Sequence, residues 1–478
     1  MLEQVSPSRT ALIRRLLPCL LGVIAVLYGF AWFAPAIGLT YSEGAALATA
    51  VYHTGDLIPP LFPALLAPFA MISRQSQWLK LLPLGCTVLW LLLTKRLLSR
   101  MGASSKCAMV LIVMTAASPT VLYLATGLYP EPLFAVLVTA SLLALIDEKA
   151  LLAGLFAGLA TITVTAGMTL ILAGLVTLVA NRRLRGAAVF TGVSMAFAAP
   201  WLGWCMANGG VPAAHLHLSD LGAVFAQNVM MLAASPFMLL SGYPSLYPGL
   251  LTAVALLIVI VRRRQFVPDL FIGLYCFALV WRTEQPMHAF APILPTFLWL
   301  LWRVARSGRF ATVTKVTAAL LLLPALWFGV ARLTTVRTLG AVTRDSMILP
   351  APLPNDWHEM EKLFAFIQGN TPPDAVLLAD LDPVFRLNTG RTTVRGFVPD
   401  NYRSVYAPPS ALVTTNQLRD TIAREHVGWV ALTPDRDLPE AASFHKAVAA
   451  MERGGLLEPV SVPGVAREYR LLHVAGAK

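Results

Sequence analysis

The chain has 478 residues, 57% of them hydrophobic and 13% charged, with a net charge of +12. A soluble protein carries about 25% charged residues, so the composition excludes an ordinary soluble chain and points to an integral membrane protein. Residues 334–478 hold 15 Lys/Arg against 16 Asp/Glu, which leaves 22 against 9 in residues 1–333. The basic excess therefore sits in short loops between apolar runs, where it reads as topology signal and lipid-headgroup contact. A nucleic-acid partner would need a basic face on the soluble part, and that part is not basic. The cysteines Cys19, Cys86, Cys107, Cys205 and Cys276 lie in or beside apolar segments without CxxC spacing. They read as small packing residues, with no disulfide framework or zinc site.

Arg9, Arg14 and Arg15 precede an apolar run from Leu16 to Ala34. The run is longer than a signal-peptide core and is expected to be a retained first span with its N-terminus in the cytoplasm. The chain then turns polar at Tyr41-Ser42-Glu43, with His53 and Asp56 before a Pro59-Pro60 break. A carboxylate beside a membrane is costly unless water or a partner receives it. Tyr41–His53 is expected to form an amphipathic interfacial helix. Leu61–Ile72 is too short and too Pro-rich to span, and is expected to be a half-helix on the outer side.

Further spans are expected at Leu79–Leu98, Cys107–Ala125 and Leu133–Ile146, with an external hairpin at Thr126–Pro132. Residues 150–180 read as two short helices turning near Thr163–Gly167. Spans at Ala187–Met206, Gly249–Val261, Leu270–Trp281, Ala289–Trp302 and Ala318–Val330 follow, with a mixed external segment at 207–245. Gly154, Gly158 and Gly167 permit close helix contact. With the N-terminus inside, 18 of the 22 basic residues fall on the cytoplasmic side, and only Arg74, Lys80, Arg282 and Arg332 fall outside. This is the bias that short loops should show. It places Glu43, Asp56, Glu131, Asp220, Glu284 and the C-terminal 145 residues outside.

The expected architecture is thus a polytopic α-helical bundle of about 11 spans over residues 1–333, N-terminus in and C-terminus out, on the ~20-residue spanning length. An extracytoplasmic α/β domain follows over 334–478. Its helices are expected at Asp356–Gly369, Thr415–Glu425 and Pro439–Met451, and its strands at Ala375–Ala379, Trp429–Leu432 and Glu468–Val474. Alternating helix and strand argue for an α/β layer structure.

Glu43 and Glu131 share the outer face on loops able to approach each other. Carboxylates there can act as a general base or hold a divalent cation; otherwise each is a solvated loop charge, or for Glu131 a hairpin cap. Arg282 with His288, and Arg74 and Lys80, are the external cations able to bind a phosphate; the alternative is headgroup anchoring. The aromatics Tyr41, Tyr52, Tyr123, Tyr129, Trp201, Trp204, Tyr243 and Tyr247 read mainly as an interfacial belt. His215 and His217 are a weak metal signal. Asp380-Leu381-Asp382 is a D-x-D after a strand and reads as a solvated turn.

These features together resemble the GT-C superfamily of polytopic glycosyltransferases, in particular its bacterial protein O-mannosyltransferase and lipid A aminoarabinose transferase branch. Those enzymes show an acidic pair after the first span, then Tyr, Ala and Gly, then P-P-L-x-P. The counterparts are Tyr41-Ser42-Glu43, Ala48, Gly55 and Pro59-Pro60-Leu61-Phe62-Pro63. Tyr129–Phe134, Gly154 to Gly158, Pro200-Trp201, Arg282–His288 and Pro292–Pro295 match later family elements in order. The resemblance covers most of residues 10–330. It implies an outer-face catalytic site and a polyprenyl-phosphate sugar donor, in a bacterial inner (plasma) membrane. By analogy the C-terminal domain would help bind the acceptor, a glycan, lipid or protein. Two departures stand out. Ser42 replaces the first acid, which bears on any metal, and Thr163–Gly167 replaces a turn that often carries Arg, which bears on donor-phosphate binding.

On this reading Glu43 is the base, Glu131 orients base or acceptor, and Arg282, His288, Arg74 and Lys80 hold the donor phosphate. Tyr41, His53 and Asp56 are acceptor or loop candidates, and no metal set is assigned. The alternatives are a lipid or glycan flippase, which calls for ionisable residues along a mid-span path and usually an inverted repeat, and a non-catalytic member of an envelope assembly complex.

Overall fold

The computed structural model describes residues 21–29, 32, 41–52, 58–72, 76–207, 267–280, 289–306, 356–397, 412–434 and 439–476. The expected spans at 249–261 and 318–330 lie outside the described residues, as do the segments 208–266 and 307–355.

The membrane part begins with a helix at 21–29 (α1). Then come α2 (Tyr41–Tyr52), α3 (Leu61–Ile72), the single turn α4 (Ser76–Leu79) and α5 (Leu81–Arg100). The half-helix expected at Leu61–Ile72 is present with those bounds, with Pro68 inside it. At ~1.5 Å per residue it rises about 18 Å, well short of the ~30 Å hydrocarbon core. α5 and α11 (Leu184–Ala207) are long and apolar enough to cross a membrane. Valines and leucines such as Val88, Leu92, Val110, Leu172 and Val189 stay exposed on the bundle surface. A surface of that kind suits lipid rather than water, and the chain is a membrane protein.

The single span expected over Cys107–Ala125 is broken. α6 (Ser105–Ala116) and α7 (Pro119–Thr126) meet at a bend of 66°. Pro119 has no amide to continue the ladder, and Ser118 caps the new helix by accepting from the Val121 amide at 3.4 Å. α8 (Glu131–Ile146) follows, then α9 (Ala150–Thr161). A 3₁₀ turn at Thr165–Gly167 leads into α10 (Met168–Ala180), so the short-helix pair expected over 150–180 is present.

α9 packs most extensively on α11 and α8. Glycine sets the approach: a Cβ on Gly154 would stand 2.6 Å from the Phe190 carbonyl oxygen, and one on Gly158 2.8 Å from that of Ser194. Ser194 Oγ donates to the Gly154 carbonyl at 3.1 Å, and Ser141 Oγ donates to that of Ala153 at 2.9 Å. Small residues and hydroxyl bonds thus replace the hydrophobic drive that lipid removes. Two later helices complete the described bundle, α12 (Val267–Val280) and α13 (Leu294–Arg306). Asp269 of α12 is fully buried, with Arg303 of α13 at 3.9 Å.

Ion pairs orient the bundle. Arg100, at the end of α5, lies 2.9 Å from Asp147, just after α8. α5 and α8 therefore run parallel, and Lys80 and Glu131 start them at the opposite end.

The C-terminal part is a five-stranded sheet in the order β2-β1-β3-β5-β4. β1 (Val376–Ala379) lies parallel to β2 (Thr392–Arg395) and β3 (Trp429–Leu432). β5 (Arg470–Val474) is antiparallel to β3 and to β4 (Leu457–Val460). Period-two alternation serves two cores. Leu377, Ala379, Ala431 and Leu471 face α14 (Asp356–Asn370) and α15 (Asp382–Thr389). Leu378, Val430 and Leu472 face α16 (Thr415–Arg424) and α17 (Pro439–Arg453). The sequence did not reveal β2, β4 or α15.

The Asp380-Leu381-Asp382 turn is not solvated. Asp380 is 3% exposed and Asp382 7%. Asp380 Oδ2 accepts from the Thr433 amide at 2.8 Å and its hydroxyl at 2.5 Å, which ties β1 to the end of β3. Asp382 pairs with Arg395 at 3.4 Å. Burial is sustained because each carboxylate is hydrogen-bonded.

Two outcomes follow from this packing. Gly154→Ala lowers stability by about 1–3 kcal/mol in thermal unfolding in detergent. Gly192→Ala, where a Cβ meets nothing within 4 Å, leaves it unchanged or higher. Asp380→Ala costs about 1–3 kcal/mol by stripping a buried amide and hydroxyl of their acceptor, and Asp380→Asn costs less in the same measurement.

Candidate functional site

The candidate site lies at the end of the bundle where α5 and α8 begin. α2 carries Tyr41 and Glu43 in its first turn; their side chains lie outside the described residues. A carboxylate in the first turn of a helix is favoured by the helix dipole. Ala46, Leu47, Ala48 and Ala50 are buried, and α2 packs against α3 on one side and α15 on the other.

α2 is held at its far end by the C-terminal domain. Tyr52 Oη donates to the Arg386 carbonyl at 3.3 Å, and the Arg386 guanidinium stands 4.8 Å over the Tyr52 ring. Tyr52 is therefore an interdomain contact and not part of an aromatic belt. The packing is reciprocal: Leu387 of α15 packs into the membrane core, and Ile58 packs into the core beneath the sheet. Three residues after Ile58, the Leu61 amide donates to the Ile162 carbonyl at 3.1 Å. That bond ties the Pro-Pro element to the turn after α9. Because α9 returns antiparallel to α8, this turn lies at the Glu131 end.

Glu131 is the first residue of α8, between Pro130 and Pro132, and is half-buried. Beside it Tyr129 is buried, its hydroxyl is hydrogen-bonded to that of Tyr123, and the ring centroids are 4.9 Å apart. The hairpin aromatics thus form a packed wall with Val121, Ala135 and Ala291. Ala291 begins a 3₁₀ turn, Ala291–Ile293, that docks on α8. Tyr275 Oη donates to the Ala289 carbonyl at 2.7 Å. The segment that carries Arg282 and His288 therefore re-enters the described structure beside the first turns of α8.

Lys80 caps α5 and is only 1% exposed. A buried ammonium is tolerated where it is paired, and Lys80 is partnered. His53, Asp56, Arg74, Arg282 and His288 lie outside the described residues. Among the described residues no group of three His, Cys, Asp or Glu is arranged to hold a metal ion. Sequence reasoning missed Arg386 as a site-adjacent residue. Its signal was absent, because α15 itself was not legible.

No family model matches this sequence, and no curated protein matches it by sequence. The fold does match solved structures. One is ArnT from Cupriavidus metallidurans bound to undecaprenyl phosphate, at 13% identity over 99% of each chain with a TM-score of 0.57. Another is the oligosaccharyltransferase AglB from Archaeoglobus fulgidus, in complex with an inhibitory peptide and a dolichol-phosphate. It shares 11% identity over 92% of this chain and 72% of that one, with a TM-score of 0.51. The chain has the fold of the GT-C polytopic membrane glycosyltransferases. Within that class the match to ArnT runs the whole length of both chains, so it includes the C-terminal domain.

The interdomain contact gives a double-mutant cycle. Tyr52→Leu and Arg386→Ala couple by about 0.5–2 kcal/mol in thermal unfolding of the full chain. Purely additive effects would mean that the cation–π contact contributes nothing.

Proposed function

We propose that this protein moves a sugar from a polyprenyl-phosphate donor to an acceptor hydroxyl at the outer face of a bacterial plasma membrane. What supports the reading is that the elements carrying or flanking the candidate residues pack at one end of the bundle. The helix bearing Glu43, the start of α8 with Glu131 and the anchor of the Arg282–His288 segment all belong to that end. Whole-length likeness to a structure bound to undecaprenyl phosphate supports the donor class.

Glu43 takes the proton from the acceptor hydroxyl as its oxygen attacks the anomeric carbon. The bond from that carbon to the phosphate oxygen breaks, and its electron pair leaves with the polyprenyl phosphate. Arg282 and His288, with Arg74 or Lys80, stabilise the charge that develops on the leaving phosphate. Glu131 orients the base or the acceptor. One direct displacement inverts the anomeric centre. The acceptor enters between the bundle and the 334–478 domain, with Tyr41, at the start of α2, and His53 and Asp56 after it in the chain as candidate acceptor contacts.

The test is transfer from a polyprenyl-phosphate sugar by the purified full chain. Glu43→Gln lowers kcat by about 10²–10⁴-fold, the scale of a lost general base, with folding unchanged. Full activity in that variant would remove Glu43 as the base. Sugar-lipid flux in proteoliposomes without transfer would favour a flippase. Co-purification of a stable partner without transfer would favour a non-catalytic role, the alternative raised by Ser42 standing where the resembled enzymes carry their first acid.

A further inference from the structure

At the end of the bundle opposite α2, the α8–α9 and α10–α11 turns face each other across a cavity of about 410 Å³. Glu148, Arg182, Arg183 and Arg185 form its charged lining, and Leu145 and Leu178 form part of its apolar lining.

Both turns close with the same backbone motif. The Lys149 amide donates to the Ala144 carbonyl at 2.8 Å, and the Arg183 amide donates to that of Leu178 at 2.9 Å. The motif needs a left-handed residue just after the helix, normally glycine. After α5, where Ala103 bonds back to Leu98, the chain supplies Gly102 at φ +89°. At the cavity it supplies Glu148 at φ 63° and Arg182 at φ 57°. Side chains are thus kept at two positions where glycine is the relaxed choice.

The charges are also one-sided. Arg183 Nη2 lies 2.7 Å from Glu148 Oε1, so one guanidinium is neutralised. Arg182 and Arg185 have no carboxylate partner among the described residues. All three arginines flank the start of α11, a 24-residue helix whose N-terminus attracts anions and disfavours cations. Both arginines are exposed, and an anion between Arg182 and Arg185 would offset their unfavourable position at the helix N-terminus. Leu151, at the start of α9, and Val179, at the end of α10, are exposed apolar residues next to these turns.

We propose that this cavity binds the phosphate headgroup of a membrane lipid between Arg182 and Arg185, with the lipid's apolar part against Leu145 and Leu178. The site is independent of the outer one and needs no sugar transfer to be detected. Topology alone asks for positive charge in this loop. It does not ask for planar guanidinium forks or for left-handed side chains, and lysine satisfies it equally.

The experiment uses the full chain, delipidated in mild detergent, with short-chain phosphatidic acid as probe. Binding is read by thermal shift and native mass spectrometry. The lipid raises the melting temperature of the wild type and remains as an adduct. The pair Arg182→Gln and Arg185→Gln weakens binding roughly tenfold per arginine, the scale of one lost charge-assisted hydrogen bond. The pair Arg182→Lys and Arg185→Lys preserves the orienting charges, carries the test if the Gln pair does not fold, and also weakens binding. Arg182→Gly relaxes the turn, so it melts higher without lipid yet responds less to it. Absence of binding to the wild type, or unchanged binding in the Gln or Lys pair, overturns the proposal. An equal shift with inorganic phosphate at the same concentration makes this a free-anion site and overturns the lipid assignment.

Discussion

The short stretch from Ile58 to Leu61 ties the two parts of this protein together beside the candidate site. Ile58 is half-buried against the core beneath the C-terminal sheet, and the Leu61 amide is bonded to the Ile162 carbonyl of the membrane bundle. Irregular backbone at membrane depth is tolerated only where protein or water satisfies its polar groups. The Pro59-Pro60 segment is held at both ends, by Ile58 against the domain and by the Leu61 amide on the bundle. α2 and α3, each too short to span, depend on it, because neither would hold its place against lipid alone. The Arg386–Tyr52 contact then braces α2 from the other side. In this arrangement the C-terminal domain supports the helix on which the proposed base is carried.

The two ends of the bundle use charge differently. At the end away from α2, Arg100 pairs with Asp147 and Arg183 with Glu148, each joining helix ends that are distant in sequence. These pairs are partly exposed and contribute little stability by themselves, yet they record which helix ends lie side by side. At the other end, the described charged groups Lys80 and Glu131 are more enclosed. Lys80 is almost fully buried, and Glu131 is half-buried at a helix N-terminus next to packed tyrosines. A water-poor setting strengthens electrostatic stabilisation of a leaving phosphate, which is what the proposed chemistry calls for.

Much of the helical layout was legible because it rests on local signals. The half-helix at Leu61–Ile72 followed from prolines and length. The pair over 150–180 followed from its glycines and threonines. The break at Ser118-Pro119 was legible too in principle, since a Ser-Pro before an apolar run is a cap followed by a helix start. The apolar run around it masked that signal. In the C-terminal domain β3 was evident as Trp429–Leu432, while β2 (Thr392–Arg395) was hidden, because a polar strand at a sheet edge has only one buried neighbour to pattern it. Of the candidate site, the sequence supplied Glu43, Glu131 and the Arg282–His288 segment as residue types on one side of the membrane. It gave no indication of Arg386, whose role arises from a contact across more than three hundred residues.

The sequence by itself determined that this is a membrane protein, which stretches are apolar, and where carboxylates and cations interrupt them. Those properties are local and additive along the chain, so composition and periodicity express them directly. Only the tertiary structure decided that Asp380 is a buried tie and not a solvated turn, that Tyr52 meets the C-terminal domain and not lipid, and that the ends of α5 and α8, already placed on one side by charge bias, lie against each other. Each of these depends on a partner far away in the chain, Thr433, Arg386 and the Arg100–Asp147 pair respectively. A residue's burial and bonding are properties of the pair, and no single stretch of sequence contains both members.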